Sequence, residues 1–341
     1  MKRVLIGMSG GVDSSVAAYL LKKEGYEVIG ITMSLFTKEE DQSVIDAKEV
    51  CQKLNIEHHV VSYVDEFKNH VINNFIESYL NAKTPNPCIE CNKFLKFGLL
   101  WNKAKELNCD YIATGHYAKI KDNKLYKINS PKDQSYFLYK INKEVLPHIL
   151  FPLSSYTDKE SIRKIAEKEN LVTARKKDSQ DICFIENGDY ASFLEKNMDQ
   201  LPNKGNFILE DGTIIGKHKG IIYYTIGQRK GLGISYEYPL YVIKIDKNNN
   251  QVILGKEEQL YNNTIIINDV NLLVDQLPKT CTGKIRYKYQ QTQCNIEVID
   301  VNTIKVKFKE NVKSATPGQA LVLYDNDICL GGGTIKEIYS E

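Results

Sequence analysis

The first half of the chain alternates between two periodicities. Apolar runs of strand length occur at Arg3–Met8, Glu27–Met33, Glu57–Ser62 and Asp110–Thr114. Between them lie helix-patterned stretches: Asp13–Lys23, where Val16, Leu20 and Lys23 share a face, then Val44–Leu54 and the longer Lys93–Leu107. A further amphipathic helix is predicted over Asp158–Asn170. Strands alternating with helices imply a parallel, doubly wound sheet, because a parallel crossover needs a connection of helix length. The texture changes near residue 200. Leu201–Gly205 is a turn-rich boundary, followed by short β-rich runs at Gly220–Thr225, Leu240–Asp246 and Gln251–Leu254. From about residue 270 the alternation strengthens, as in Asn295–Val301, Thr303–Phe308 and Ala320–Tyr324, with turn residues at barrel-like spacing. The chain reads as α/β: a doubly wound parallel sheet over 1–200, a small central mixed, β-rich module over 201–268 and a C-terminal β-barrel over 269–341.

Composition narrows this picture modestly. A chain of 341 residues, 42% hydrophobic, accommodates two or three domains with real cores. Its 45 basic and 43 acidic residues nearly cancel, so any surface for a polyanion must be local. The N-terminal apolar run is too short for a signal peptide, and no run approaches the ~18 residues of a membrane span. A cytoplasmic protein is expected. Its eight cysteines should then be reduced, and unusual cysteine spacings read as catalytic or metal-binding.

Candidate chemistry begins directly after the first strand, at Gly7-Met8-Ser9-Gly10-Gly11-Val12-Asp13-Ser14-Ser15. Glycines there let backbone N–H groups converge, and the helix that follows offers free N–H groups to an anion. A nucleoside triphosphate loop of the Walker type ends in lysine; this loop carries none. It suits the pyrophosphate end of ATP in reactions that cleave between the α and β phosphates. A plain Ser/Gly helix cap explains the residues equally well on physical grounds.

Ser9-Gly10-Gly11-Val12-Asp13-Ser14 resembles the SGGxDS loop of the ATP-pyrophosphatase superfamily. Three further segments narrow the resemblance: TPNPCIECNKFLKF (Thr84–Phe97), TGHYAK (Thr114–Lys119) with KDQSYFLY (Lys132–Tyr139), and KKDSQDICFI (Lys176–Ile185). With YTIGQRKGLGI (Tyr224–Ile234) and TPGQA (Thr316–Ala320), the whole chain resembles the bacterial tRNA-specific 2-thiouridylases. That resemblance implies a sulfurtransferase that adenylates O2 of the wobble uridine, position 34, and replaces it with sulfur. It implies Cys183 as the persulfide carrier and Cys91 as the thiol that completes release by forming a disulfide with it. Cys51, Cys109, Cys281, Cys294 and Cys329 read as small buried apolar residues. Cys91 lies just before the predicted helix, where a helix N-terminus and a nearby lysine lower a thiol pKa. Cys183 has mixed neighbours, Lys176, Lys177, Asp178 and Asp181.

The resemblance implies ATP at Gly7, Met8, Ser9, Gly10, Gly11, Val12, Asp13 and Ser14, with Met33 against adenine, Gly115 at the nucleotide and Asp13 assisting Mg²⁺. It implies tRNA contacts at Asn86, Pro87, Cys88, His116, Lys132, Asp133, Gln134, Arg286, Tyr287 and Gln319. Local charge agrees: Lys217–Gly231 carries four basic residues and no acid, and Lys279–Tyr289 interleaves basic residues with Tyr287 and Tyr289. The implied partners are tRNAs of the Lys, Glu and Gln type and a sulfur donor such as a cysteine desulfurase or a persulfide relay protein. No membrane partner is expected.

One position departs from the family pattern. Cys88 stands where aspartate is usual, which leaves proton handling at the base unassigned and makes Glu90 the nearest acid in sequence. Cys88, Cys91 and Cys183 also leave room for an iron–sulfur cluster, with zinc or a simple dithiol as alternatives. Two other functions fit parts of the chain: an amide- or ester-forming ATP pyrophosphatase, which needs neither cysteine, and an RNA-binding module with an inert nucleotide loop.

Overall fold

In the computed structural model, residues 1–36, 42–176 and 182–341 are described. Lys177, Asp178 and Asp181 lie outside them. Five parallel strands form the N-terminal sheet. β1 (Arg3–Gly7) is followed by α1 (Val12–Lys23), then β2 (Glu27–Ser34), α2 (Gln42–Leu54), β3 (Glu57–Ser62) and, after two helical runs, β4 (Tyr111–Ala113). The hairpin β5 (Lys119–Lys121) and β6 (Lys124–Tyr126) intervenes before β7 (Ile149–Leu150), and the sheet order is β3-β2-β1-β4-β7. Val4, Leu5, Ile6, Ile29, Ile31 and Ile112 are essentially sealed from water, as a sheet covered on both faces requires.

This order has a functional consequence. β1 connects outward to β2 on one side and pairs with β4 on the other. The strand order therefore reverses between β1 and β4, and ligands of open α/β sheets bind in the crevice at that switch point. The loops after β1 and β4 are the SGG and TGHY segments.

The expected helix over Lys93–Leu107 begins earlier, at Pro87. It is one helical run, 87–106, whose middle section, Asn92–Leu99, is π-helical. Cys91 is consequently inside the run and not at its N-terminus. A second run, 64–80, carries Phe67, Val71, Phe75 and Tyr79 inward.

The central module is a four-stranded sheet, with β8 (Gly205–Ile208), β9 (Ile214–His218), β10 (Tyr241–Asp246) and β11 (Gln251–Gly255) in the order β10-β11-β8-β9. Its Phe207, Val242 and Leu254 share a core with Phe75 and Tyr79 of the 64–80 run. Six C-terminal strands, β12 (Tyr261–Leu272), β13 (Thr280–Lys284), β14 (Thr292–Asp300), β15 (Thr303–Lys313), β16 (Ala320–Asp325) and β17 (Ile328–Tyr339), close into an antiparallel barrel when β12 pairs with β17. The β5–β6 hairpin extends this sheet through Tyr126, opposite Ile328. Cys281 and Cys294 face each other across β13 and β14, with their sulfurs 3.6 Å apart. Cys51 and Cys329 are fully buried, and burial pushes both thiols up to about 12.

The barrel grips the N-terminal half through specific bonds. The Gln319 side-chain amide donates to the carbonyls of Thr84 (2.9 Å) and Pro85 (3.3 Å), and Thr84 N–H donates to Pro317 O. Lys140 is buried between Glu90 (2.7 Å) and Asp269 of β12 (2.5 Å). Asp269 is largely solvated, so the partly buried Glu90 is the group that Lys140 neutralises. Lys140→Met is expected to destabilise the protein by about 3 kcal/mol, because it strands that carboxylate. Denaturant unfolding of the variant measures it.

Candidate active site

The first site is the cradle at the end of β1. Gly10 adopts φ +64°, and a Cβ there would stand 2.2 Å from the Ser43 carbonyl oxygen of α2. Ser9 N–H donates to Ser14 Oγ (3.2 Å), the two hydroxyls lie 3.2 Å apart, and Ser14 Oγ donates to Gly11 O (3.1 Å). Serines thus lock the loop shape while leaving α1's first turn facing the crevice. Met8 and Val12 are core residues, so what they offer a ligand is backbone. Across the switch point, Gly115 lies against α1: a Cβ would be 2.8 Å from Ser14 N and 2.9 Å from Asp13 C. Only glycine lets the β4 loop close this wall of the cradle.

Asp13 is already committed. Its Oδ1 accepts the Tyr117 hydroxyl (2.7 Å) and its Oδ2 the Lys159 ammonium (2.5 Å).

The second site joins the cysteines. Cys91, Phe67, Val71 and Leu95 form one apolar cluster, against which Met33 from the end of β2 and Phe184 also pack. Phe184 is clamped by Phe67 (centroids 5.7 Å), Phe75 (5.4 Å) and Phe193 (4.9 Å). Anchoring Phe184 in this cluster fixes its neighbour Cys183 beside Cys91. The Cys183 thiol is pushed up to about 11, first by burial and then by Cys91 and Cys88, with Lys96 opposing. Burial likewise raises Cys88 and Cys91, again against Lys96. Cys88 and Cys183 touch solvent and Cys91 is buried, yet protein crowds all three thiols.

The fold, not the sequence, brings Cys91 and Cys183 together, and the electrostatics differ from the expectation: Cys91 is not at a helix N-terminus, and burial raises its thiol. The missed residue is Lys96. At 3.6 residues per turn, a residue five places beyond Cys91 points about 140° away. In a π-turn, closed by i→i+5 bonds, it returns to within about 50°. Leu100 N–H donates to Leu95 O, and a Cβ on Gly98 would meet Lys93 O at 3.0 Å, both five places back. The widened turn brings Lys96 round to the thiols. Alkylation of Cys183 should still accelerate about tenfold per pH unit at pH 10, since thiolate is the reactive form. Lys96→Met should move that climb to higher pH and Lys96→Arg should not; mass-resolved iodoacetamide rates measure it.

Glu90 points the other way. Its carboxylate takes Lys140, so it does not replace the family aspartate at Cys88. His116 accompanies Lys96, and burial holds its imidazole well below the usual range, so it is neutral; a ring nitrogen contacts Thr114 Oγ1 at 2.8 Å. Among the described residues, no three His, Cys, Asp or Glu side chains are grouped to hold a metal ion. The three cysteines thus do not form a cluster site as they stand.

Three families match consecutive stretches that together span most of the chain. They are described as tRNA methyl transferase HUP domain (residues 2–187), PRC-barrel domain (191–256) and aminomethyltransferase beta-barrel domain (262–335). The tRNA-specific 2-thiouridylase MnmA of Clostridioides difficile (strain 630) is 44% identical, over 98% of this chain and 98% of its own. That of Clostridium acetobutylicum is 45% identical, over 98% and 99%. The chain belongs to the tRNA-specific 2-thiouridylase family. Among solved structures, NMN synthetase from Francisella tularensis aligns with TM-score 0.36 and 20% identity over 52% of this chain and 66% of that one.

Within this thiouridylase, the residues expected at tRNA divide into two groups. Asn86 precedes the 87–106 run, Pro87 is its buried first residue, and Cys88 and Lys132 are exposed. Tyr287 meets Phe137 at a tilt of 39° (ring centroids 4.5 Å) beneath Lys284 (5.6 Å), a basic aromatic patch. The other side chains are occupied internally. Asp133 accepts from Ile128 N–H, Ser135 N–H and Ser135 Oγ. Gln134 accepts from Tyr117 N–H, Arg286 donates to Ser314 O, and Gln319 ties Thr84. These four side chains hold their own loops in place.

Proposed function

We propose that this chain is an ATP-dependent tRNA-specific 2-thiouridylase that converts C2 of the wobble uridine, position 34, from carbonyl to thiocarbonyl. The observation that carries the reading is the pairing of a switch-point loop shaped like a phosphate cradle with Cys91 in an apolar cluster and Cys183 beside it, next to the anchored Phe184. The curated relatives, similar over their full length, are named for the same reaction.

The uridine O2 attacks the α-phosphorus of ATP, forming a P–O bond and releasing pyrophosphate into the cradle of Ser9–Ser14. AMP then becomes the leaving group at C2. The outer sulfur of a Cys183 persulfide attacks C2, and the C–O bond breaks with AMP. The Cys91 thiolate attacks the Cys183 sulfur. Their S–S bond forms, and the electron pair of the persulfide bond stays on the sulfur at C2, giving thiouridine. The two thiols suffice for this sequence without a resident cluster. The target base must leave its stack to reach them. Magnesium would reach the site with the ATP phosphates, and the sulfur donor would be a cysteine desulfurase or persulfide relay protein in the cytoplasm.

The test is AMP release from ATP with persulfide-loaded protein. Equimolar AMP and 2-thiouridine, both dependent on tRNA of the Lys, Glu or Gln type, are expected. AMP release without tRNA, unaffected by Cys183→Ser, would instead favour an amide- or ester-forming enzyme.

A further inference from the structure

Away from the candidate active site, two thiols meet in the barrel. β13 and β14 pair from Thr280 opposite Asn295 to Gly283 opposite Thr292, which sets Cys281 directly against Cys294. On its other side β13 pairs with β16, and Thr282 Oγ1 donates to Tyr324 O at 3.1 Å, so the register is held from both edges. The two sulfurs lie 3.6 Å apart. Antiparallel partners have Cα atoms about 4.5–5.5 Å apart, inside the range of about 4.4–6.8 Å that a disulfide spans. An S–S bond of ~2.05 Å asks these sulfurs to approach by roughly 1.5 Å, which is within the reach of side-chain rotation.

The two thiols differ in access. Cys294 is 1% exposed and sits in the barrel core with Val306 and Phe308. Cys281 is only partly buried and packs against that core, whereas Cys51 and Cys329 are fully enclosed. The Cys281 thiol is raised, first by its hydrogen bond with Cys294 and then by burial, so it is protonated and reacts slowly. The connection that the pair brackets packs on the rest of the protein. Within it, Arg286 donates to Ser314 O, Tyr287 meets Phe137, and Gln291 accepts from Lys127 at 3.0 Å.

We propose that Cys281 and Cys294 are a modification site: a dithiol that a hydroperoxide closes to a cross-strand disulfide, locking the base of the β13–β14 connection. Cys281, the reachable thiol, attacks one peroxide oxygen as its thiolate. The O–O bond breaks, the other oxygen leaves as an alcohol or as water, and Cys281 becomes a sulfenic acid. The Cys294 sulfur then attacks the Cys281 sulfur. The S–S bond forms, and the sulfenic oxygen leaves as water. The two thiols lose two electrons and two protons, and the peroxide takes up both. A disulfide here restricts the unfolded chain and so stabilises the barrel. The site uses neither Cys91 nor Cys183 and stands apart from the function proposed above.

The test exposes reduced full-length protein to hydrogen peroxide, blocks free thiols with iodoacetamide in denaturant and digests with trypsin, which cuts between the two cysteines at Lys284, Arg286 and Lys288. Mass spectrometry should find the Cys281 and Cys294 peptides joined with the loss of two hydrogens, and separate again after reduction. Oxidised wild type should melt about 5–10 °C above reduced protein, the gain from closing a loop of this length. Cys281→Ser should lose that gain. Peroxide-treated protein in which both cysteines are still alkylated would overturn the site. So would Cys281 joined to a different thiol or left as a sulfinic acid. A joined pair with no rise in melting, or a rise that survives Cys281→Ser, would overturn the lock.

Discussion

Cys183→Ser protein is expected to form 2-thiouridine at least about a thousandfold more slowly than wild type, as when an enzyme loses its nucleophile. A serine hydroxyl cannot carry a persulfide sulfur, and Cys183 is the thiol that follows directly from the Phe184 anchor on Phe67 and Phe75. ATP binding should survive, since the cradle is built from β1, α1 and the β4 loop. Cys91→Ser should behave differently. Sulfur can still reach C2, but nothing then attacks Cys183 to release the product. Substrate tRNA should therefore remain linked to Cys183 through a reducible bond, visible as a retarded band on non-reducing gels. A Cys183→Ser variant with wild-type thiolation would refute the assignment, as would a Cys91→Ser variant that turns over freely.

The second large effect concerns the cradle wall. Gly115→Ala introduces a methyl group 2.8 Å from Ser14 N, and Gly10→Ala one 2.2 Å from Ser43 O at φ +64°. Backbone cannot yield there as the end of a flexible side chain would. Strain of about 1–3 kcal/mol at such positions corresponds to a loss of ATP affinity of roughly 5- to 150-fold. Gly212→Ala is the control: it also has positive φ (+86°), but a Cβ there meets nothing within 4 Å, and it lies far from the cradle in the β8–β9 turn. It should leave ATP affinity unchanged. Calorimetry on the three variants separates a closed cradle from general backbone strain.

Much of the site's framework could be read directly from local pattern. β1, α1, β2 and β3 follow the hydrophobic periodicity closely, because buried parallel strands and amphipathic helices declare themselves within a few residues. The SGG loop declared itself for the same reason: its glycines and serines act on their immediate neighbours. What escaped is what depends on distant partners or on helix geometry. Pro87 starts the helical run six residues before the predicted Lys93, and Pro at the first position is compatible with helix because its missing N–H is unneeded there. The π-turn that carries Lys96 to the cysteines has no signature in polarity. Glu90 was legible as an acid near Cys88, but not its direction toward Lys140, which depends on β12 arriving from the barrel. Lys159 lies 146 residues from Asp13, and no local spacing links them. Arg286 and Gln319 match positions expected at tRNA, yet their side chains hold the barrel and the Thr84–Pro85 segment together.

The most direct test of sulfur transfer to uridine C2 is nucleoside mass spectrometry. Bulk tRNA from a strain lacking this protein, before and after incubation with the purified protein, ATP and a persulfide donor, is digested and its wobble nucleosides are weighed. Loss of the 2-thiouridine mass in the deletion strain, and its return with wild-type but not Cys183→Ser protein, is the predicted result. Undiminished wobble 2-thiouridine in the deletion strain, or none formed by the wild-type protein, would contradict it.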